Sequence, residues 1–168
     1  MQTLRPIESG FTLPELLVVV VVLGILASVG AGGFQSLIQS QQAKSASFEL
    51  FSSLSLARST AIKRNDSVTL TPIVATDWGR GWEIKHTDAT TSTTTTIKTQ
   101  SDLKKIAIPI PNAPTSITYA QNGRITSPTS PPVFLLDVVS ASQTANARCV
   151  TIELSGMPRA YKPVNGAC

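Results

Sequence analysis

The 168-residue chain, 17.8 kDa, has room for one domain and one further element, not for two enzymatic domains. Only 14% of its residues are charged while 42% are apolar, so part of the chain is built to avoid water. The net charge of +4 is too mild to name a partner, and one histidine with two cysteines excludes zinc fingers, CxxC redox sites and iron–sulfur clusters made from this chain alone.

Residues 1–10 (MQTLRPIESG) are short and polar, and residues 16–43 carry no charge at all. The run LLVVVVVLGILASV over 16–29, extended on both sides, predicts a helix long enough to cross a bilayer core of roughly 30 Å. No Ala-x-Ala site follows it, so it is not an ordinary cleaved secretory signal. The small-residue junction lies in front of the apolar run instead, at Gly10 and Phe11. Glu15 sits inside the edge of the run, where a charge costs about 2.5–3.5 kcal/mol unless it is partnered. Two readings stay open on the residues alone. In one, the segment is an uncleaved anchor and Glu15 reaches back toward the lipid headgroups. In the other, cleavage after Gly10 keeps the helix and creates a partner for Glu15, the amine of Phe11.

The helix is expected to continue to Arg64, on the order of 75 Å in all. From 36 to 64 there is neither proline nor glycine. Phe48, Phe51, Leu54, Ala57 and Ala61 recur at steps of three and four and predict the buried face. Ser47, Glu49, Ser52, Ser53, Arg58, Ser59 and Lys63 predict the solvated one. Gly30, Gly32 and Gly33 mark the expected place for a bend or melted turn. Asn65 and Asp66 end the helix.

Short β-branched runs follow at 67–74, 81–85, 105–110, 116–119, 133–139 and 149–154, separated by Pro, Gly, Asn and Ser. They predict a meandering, mainly antiparallel sheet on the amphipathic half of the helix. The Thr-rich stretch 87–99 predicts an exposed hairpin loop whose β-branched residues extend the flanking strands. Trp78, beside Gly79, Arg80 and Gly81, is expected in a turn, with a partner contact as its functional reading. Trp82 is expected in the core or at an edge. Arg58 reads either as a solvated helix charge or as half of a salt bridge.

The run from Gly10 through Phe11, Thr12, Leu13, Pro14, Glu15, Leu16 and Leu17 resembles the start of type IV pilins and type II secretion pseudopilins. That resemblance implies cleavage between Gly10 and Phe11 by a prepilin peptidase, N-methylation of Phe11, and pairing of Glu15 with the N-terminal amine of an adjacent subunit during assembly. Pro14 departs from the common pattern but is tolerated in a first helical turn. Downstream, ARSTAIKRN over 57–65, Val68, Thr69 and Leu70, Gly81 and Trp82, residues 122–125 (NGRI), and residues 149–152 (CVTI) before Ser155 and Gly156 resemble the GspH/FimT-type minor pilins and pseudopilins. This implies an α+β, type IV pilin-like fold, a long N-terminal helix packed on a mainly antiparallel sheet. It divides the chain into a leader (1–10), a transmembrane or filament-core helix (11–35) and a periplasmic domain (36–168). The implied function is that of a minor pilin that primes type IV pilus assembly near the tip. Its implied partners are other minor and major pilins, the prepilin peptidase and the inner membrane. The same architecture serves the H-type pseudopilin of type II secretion, and a DNA-binding competence pilin is a third reading.

An exported domain places Cys149 and Cys168 in an oxidising compartment, where they are expected to pair and tie down the C-terminus; two free thiols are the alternative. Some FimT-like pilins bind DNA through a Gly-Arg-x-Arg element. Here the stretch reads Gly156, Met157, Pro158, Arg159, so only Arg159 carries over, and Arg148, Arg159 and Lys162 form the candidate DNA set. His86, next to the Thr-rich stretch, is expected to be an exposed loop residue. No nucleophile motif, phosphate loop or ligand cluster points to an enzyme, a cofactor or a metal.

Overall fold

Helix α1 (Leu13–Arg64) starts with the Glu15 half of a capping box. The Thr12 backbone N–H donates to Glu15 Oε2 at 2.9 Å, the Thr12 hydroxyl donates to the same oxygen at 2.8 Å, and the Leu16 N–H returns to the Thr12 carbonyl. The computed structural model describes residues 11–88, 90–108, 114–139 and 146–168, with the helix backbone alone over 27–33. The leader and Gly10 lie outside the described residues. The chain stays helical through 30–33, so the glycine cluster does not melt a turn. About 1 kcal/mol per glycine is too little to undo a ladder that propagates cooperatively from both sides.

The helix ends where the sequence predicts, and the structure shows how. Asn65 takes a left-handed φ of 52°. Its N–H bonds the Ile62 carbonyl, and the Asp66 N–H bonds the Ala61 carbonyl, a Schellman motif with asparagine in the usual glycine place.

The chain divides into two units, Met1–Leu37 and Ile38–Cys168. In the first, the described apolar side chains run from Phe11 to Leu26 and include Phe34 and Leu37, all exposed. Among the described residues no helix is long and apolar enough to cross a membrane.

The second unit carries nine strands among its described residues: β1 (Val68–Val74), β2 (Asp77–Thr87), β3 (Thr94–Gln100), β4 (Ile106–Ala107), β5 (Ile117–Tyr119), β6 (Ile125–Ser127), β7 (Val133–Val138), β8 (Arg148–Ile152) and β9 (Pro158–Tyr161). They form two antiparallel sheets, ordered β3-β2-β1-β5-β6 and β4-β7-β8-β9, rather than the single meander expected. The Thr-rich stretch is only partly loop. Asp88 builds a turn, accepting the Thr90 and Thr91 N–H groups, which hold its carboxyl below the ordinary range, and β3 then pairs with β2 along Thr94–Gln100. Ile97 packs on the core and Lys98 reaches Glu49 of the helix at 3.7 Å, so the strand is anchored despite its polar composition.

One core joins the helix to both sheets. From α1 it takes Ala43, Ala46, Leu50, Leu54, Ala57 and Ala61. Leu54, Ala57 and Ala61 of the expected stripe are buried and Phe51 is half-buried; the departure is at Phe48 and at two serines expected in solvent. Phe48 is 67% exposed, whereas Ser47 and Ser53 are buried. The small residues face the sheets because two sheets must both approach the helix backbone, which bulky phenylalanines would prevent. Trp78 is likewise not in a turn. It is fully buried in β2, donates its indole N–H to the Pro114 carbonyl at 2.9 Å, and meets Phe134 of β7 edge-to-face at 5.3 Å, bridging the two sheets. Trp82 lies in the core beside it.

Two turns lock against each other under the helix. Gly156 has a φ of +81°, and a Cβ placed there would stand 1.9 Å from the Gly123 carbonyl oxygen. Gly156→Ala is therefore expected to lower the melting temperature of this unit by about 5 °C or more in the full chain. Gly24→Ala, with nothing within 4 Å of the added carbon, leaves it unchanged; scanning fluorimetry in non-ionic detergent checks both. Cys149 and Cys168 are disulfide-bonded, with Cα atoms 5.7 Å apart. Cys168→Ser removes a constraint worth about 3 kcal/mol on the loop-entropy model, and a drop of about 10 °C in the same assay is the expected reading.

Candidate functional site

At the N-terminus the chemistry is carried by Glu15. Its carboxylate accepts both bonds from Thr12 at the first turn of α1, where a negative charge is favoured by the helix dipole. Phe11, Thr12, Pro14, Glu15, Val18 and Val19 line a shallow pocket of about 480 Å³ around it. Phe11 is exposed beside the box. A carboxylate already offered to N–H and O–H donors, next to the position that proteolysis after Gly10 would turn into an amine, can exchange one cationic or polar donor for another.

The candidate DNA set is split. Arg159 is ion-paired with Glu153 across the β8–β9 turn. Arg148 and Lys162 face a different neighbourhood, a groove of about 910 Å³ between the helix and β9. The Arg148 guanidinium donates to the Ala147 carbonyl at 2.9 Å and reaches Ser40 Oγ at 3.5 Å. Lys44, one helical turn beyond Ser40, lines the same groove. Lys44 was not singled out from sequence. Its spacing of four and seven residues to Phe48 and Phe51 was the available signal.

Arg58 is neither a solvated charge nor a salt-bridge partner. Its Nε–H donates to the Gly123 carbonyl at 3.0 Å, and its terminal nitrogen lies 3.5 Å from Met157 Sδ. It thus clamps the β5–β6 turn and the β8–β9 turn to the helix. Tyr119 lies beneath; burial pushes its phenol well above the ordinary value, with the Arg58 charge opposing.

His86 is not an exposed loop residue. It sits in β2 at 6% exposure, opposite Val68 and Thr95, because the strand runs further than the sequence suggests. Its Nδ1 lies 3.3 Å from an Arg64 N–H, which can only donate, so Nδ1 accepts and the proton sits on Nε2, directed at Asp66 Oδ2 at 3.1 Å. The triplet ties the end of α1 to the first sheet. Among the described residues no group of three His, Cys, Asp or Glu could hold a metal.

The model of the GspH family, described as "Type II transport protein GspH", matches residues 46–156, and that of the prokaryotic N-terminal methylation motif matches residues 5–31. No curated protein matches the chain. Two crystal structures of the type IV minor pilin FimU from Pseudomonas aeruginosa PAO1 are similar in fold. The one in space group P21 superposes with a TM-score of 0.62 at 19% identity, over 72% of this chain and 89% of FimU. The one in P65 gives 0.59 at 19% identity, over 70% and 91%. Both the family and the fold are those of structural pilins rather than enzymes. A capped helix with an acidic first turn, continuing into a two-sheet domain matched by the GspH model over most of its length, is a single design, and the chain belongs to the GspH family of type IV pilin-like proteins.

Proposed function

We propose that this chain is a minor pilin of a type IV pilus, one that primes assembly and sits near the filament tip, serving adhesion and twitching motility. In this reading a prepilin peptidase cuts between Gly10 and Phe11 and the new amine of Phe11 is methylated. The helix over 11–35 holds the subunit in the inner membrane, the domain over 36–168 lies in the periplasm, and the whole then enters the filament beside other minor and major pilins. The observation that carries it is the placement of Glu15. Its carboxylate is held at the helix start by Thr12, beside the future N-terminus, where an adjacent subunit's amine can replace the hydroxyl and N–H donors. The FimU fold supports a pilus. The type II transport description of the family model supports a second reading, the H-type pseudopilin of a secretion system, which uses the same helix and processing.

Gly10→Val is expected to leave the longer precursor uncut, seen as a mass difference on immunoblot or by Edman sequencing that begins at Met1. Glu15→Ala and Glu15→Gln are expected to be cut normally but to enter sheared filaments poorly. Glutamine preserves the capping-box geometry without the charge. Filaments rescued by glutamine but not by alanine would mean that the cap alone matters and that the amine pairing does not occur. A deletion strain separates the two systems: loss of twitching with intact enzyme secretion is expected, and the reverse result would assign the chain to the secretion pseudopilus.

A further inference from the structure

The second sheet ends at β9, beside a flank of the helix that lines an open groove. β9 is its edge strand among the described residues. Next to that edge lies the groove of about 910 Å³, with Phe48 and Phe51 of α1 on one wall and Ala160 of β9 on the other. The apolar stripe legible in the sequence, Phe48 and Phe51 included, is therefore wider than the part of the helix that the sheets cover. Phe51 is half-buried and Phe48 mostly bare.

The backbone of β9 points the same way. The Glu153 N–H bonds the Met157 carbonyl, which sets the alternation of the β8–β9 ladder. Residues paired through hydrogen bonds then alternate with residues whose N–H and C=O turn outward, and Ala160, opposite Val150, falls in the outward class. Its peptide groups face the groove, as an unpaired strand edge that another strand can extend.

Charge orders the groove along its length. Ser40, which Arg148 reaches, and Lys44 stand one turn apart, Phe48 follows one turn later, and Phe51 follows again. Lys44, Arg148 and Lys162 thus mark a basic end and the phenylalanines an apolar end, and among the described residues no carboxylate lines the groove.

We propose that this groove takes an extended segment of another polypeptide, added as a fifth strand beside β9, whose helix-facing side chains are apolar over Phe48 and Phe51 and carboxylates over Lys44, Arg148 and Lys162. Main-chain bonds to Ala160 supply the pairing and the alternate side chains supply selectivity. The site does not depend on the filament reading, and its test reads the isolated chain.

The probe is a labelled eight-residue peptide that alternates threonine with valine, valine, glutamate and glutamate, titrated by fluorescence anisotropy into the full chain in non-ionic detergent at low salt. Saturable binding is expected, weakened roughly tenfold by Lys44→Glu and again by Lys162→Glu, surface changes whose folding is checked by melting temperature. The Ala160 amide is expected to gain protection from hydrogen exchange on binding. Three further measurements use the unaltered protein. A peptide with lysine in place of glutamate is expected not to bind, and one N-methylated along the edge that faces β9 is expected to bind far more weakly. Equal binding of either would overturn the proposal, the first by removing charge recognition and the second by removing strand pairing. An oligothymidylate that binds where the acidic peptide does not would reassign the groove to single-stranded nucleic acid.

Discussion

The packed stripe on the second half of α1 is the constraint from which the rest of this structure follows. Ala43, Ala46, Leu50, Leu54, Ala57 and Ala61 are all buried, and strands from both sheets close over them. Burying each leucine contributes on the order of 1.5–3 kcal/mol, but the alanines matter as much, because their size lets two layers of backbone approach one helix. The Trp78–Phe134 contact then joins the layers above the stripe, and the Arg58 clamp fixes the turns at its side. The polar positions that remain are arranged by this packing. Arg64, His86 and Asp66 close the helix end, and Lys44, Phe48 and Phe51 are left on the flank that the sheets do not reach.

That arrangement separates two kinds of chemistry along a single helix. The first turn carries a carboxylate in a geometry suited to exchanging one donor for another, and it is followed by apolar residues without a polar face. The last turns carry the domain, with its strand edges and the groove beside β9. A filament subunit needs both: a uniform rod that packs with its relatives and a head that tells one neighbour from another. The GspH family membership and the FimU-like fold fit this division.

Much of this was legible in the residues. Asn65 with Asp66 announces the stop, whereas the cap at Thr12 was not singled out, although Glu15 three residues on before an apolar run was the available signal. Six of the nine strands, β1, β2, β4, β5, β7 and β8, lie on the short β-branched runs that the sequence shows. The helix stripe was legible from Phe51 through Leu54, Ala57 and Ala61, but not around residues 47–50, because periodicity reports which residues are apolar and not how near a layer must come. Only the demand of two sheets selects Ala46 and Leu50 over Phe48, and buries Ser47 and Ser53 with them. Trp78 and His86 were misplaced for a related reason. Glycines at 79 and 81 read as a turn, yet β2 runs through them from Asp77 to Thr87, the register with β1 shifting across this stretch and the pairing with β3 starting at Trp82. β9 is short, begins with a proline and is exposed along most of its length, so no local pattern marks it; it exists because β8 offers it an edge.

The disulfide has a topological effect beyond fastening the tail. It links Cys149 at the start of β8 to Cys168 past the end of β9, so both strands and the turn between them lie within one covalent ring. A strand enclosed in such a ring cannot be traded between two copies of the chain, since exchange of β9 would require one loop to pass through another. Oxidation thus opposes exchange of β9 between copies, while leaving its outer edge open to a segment that arrives from outside.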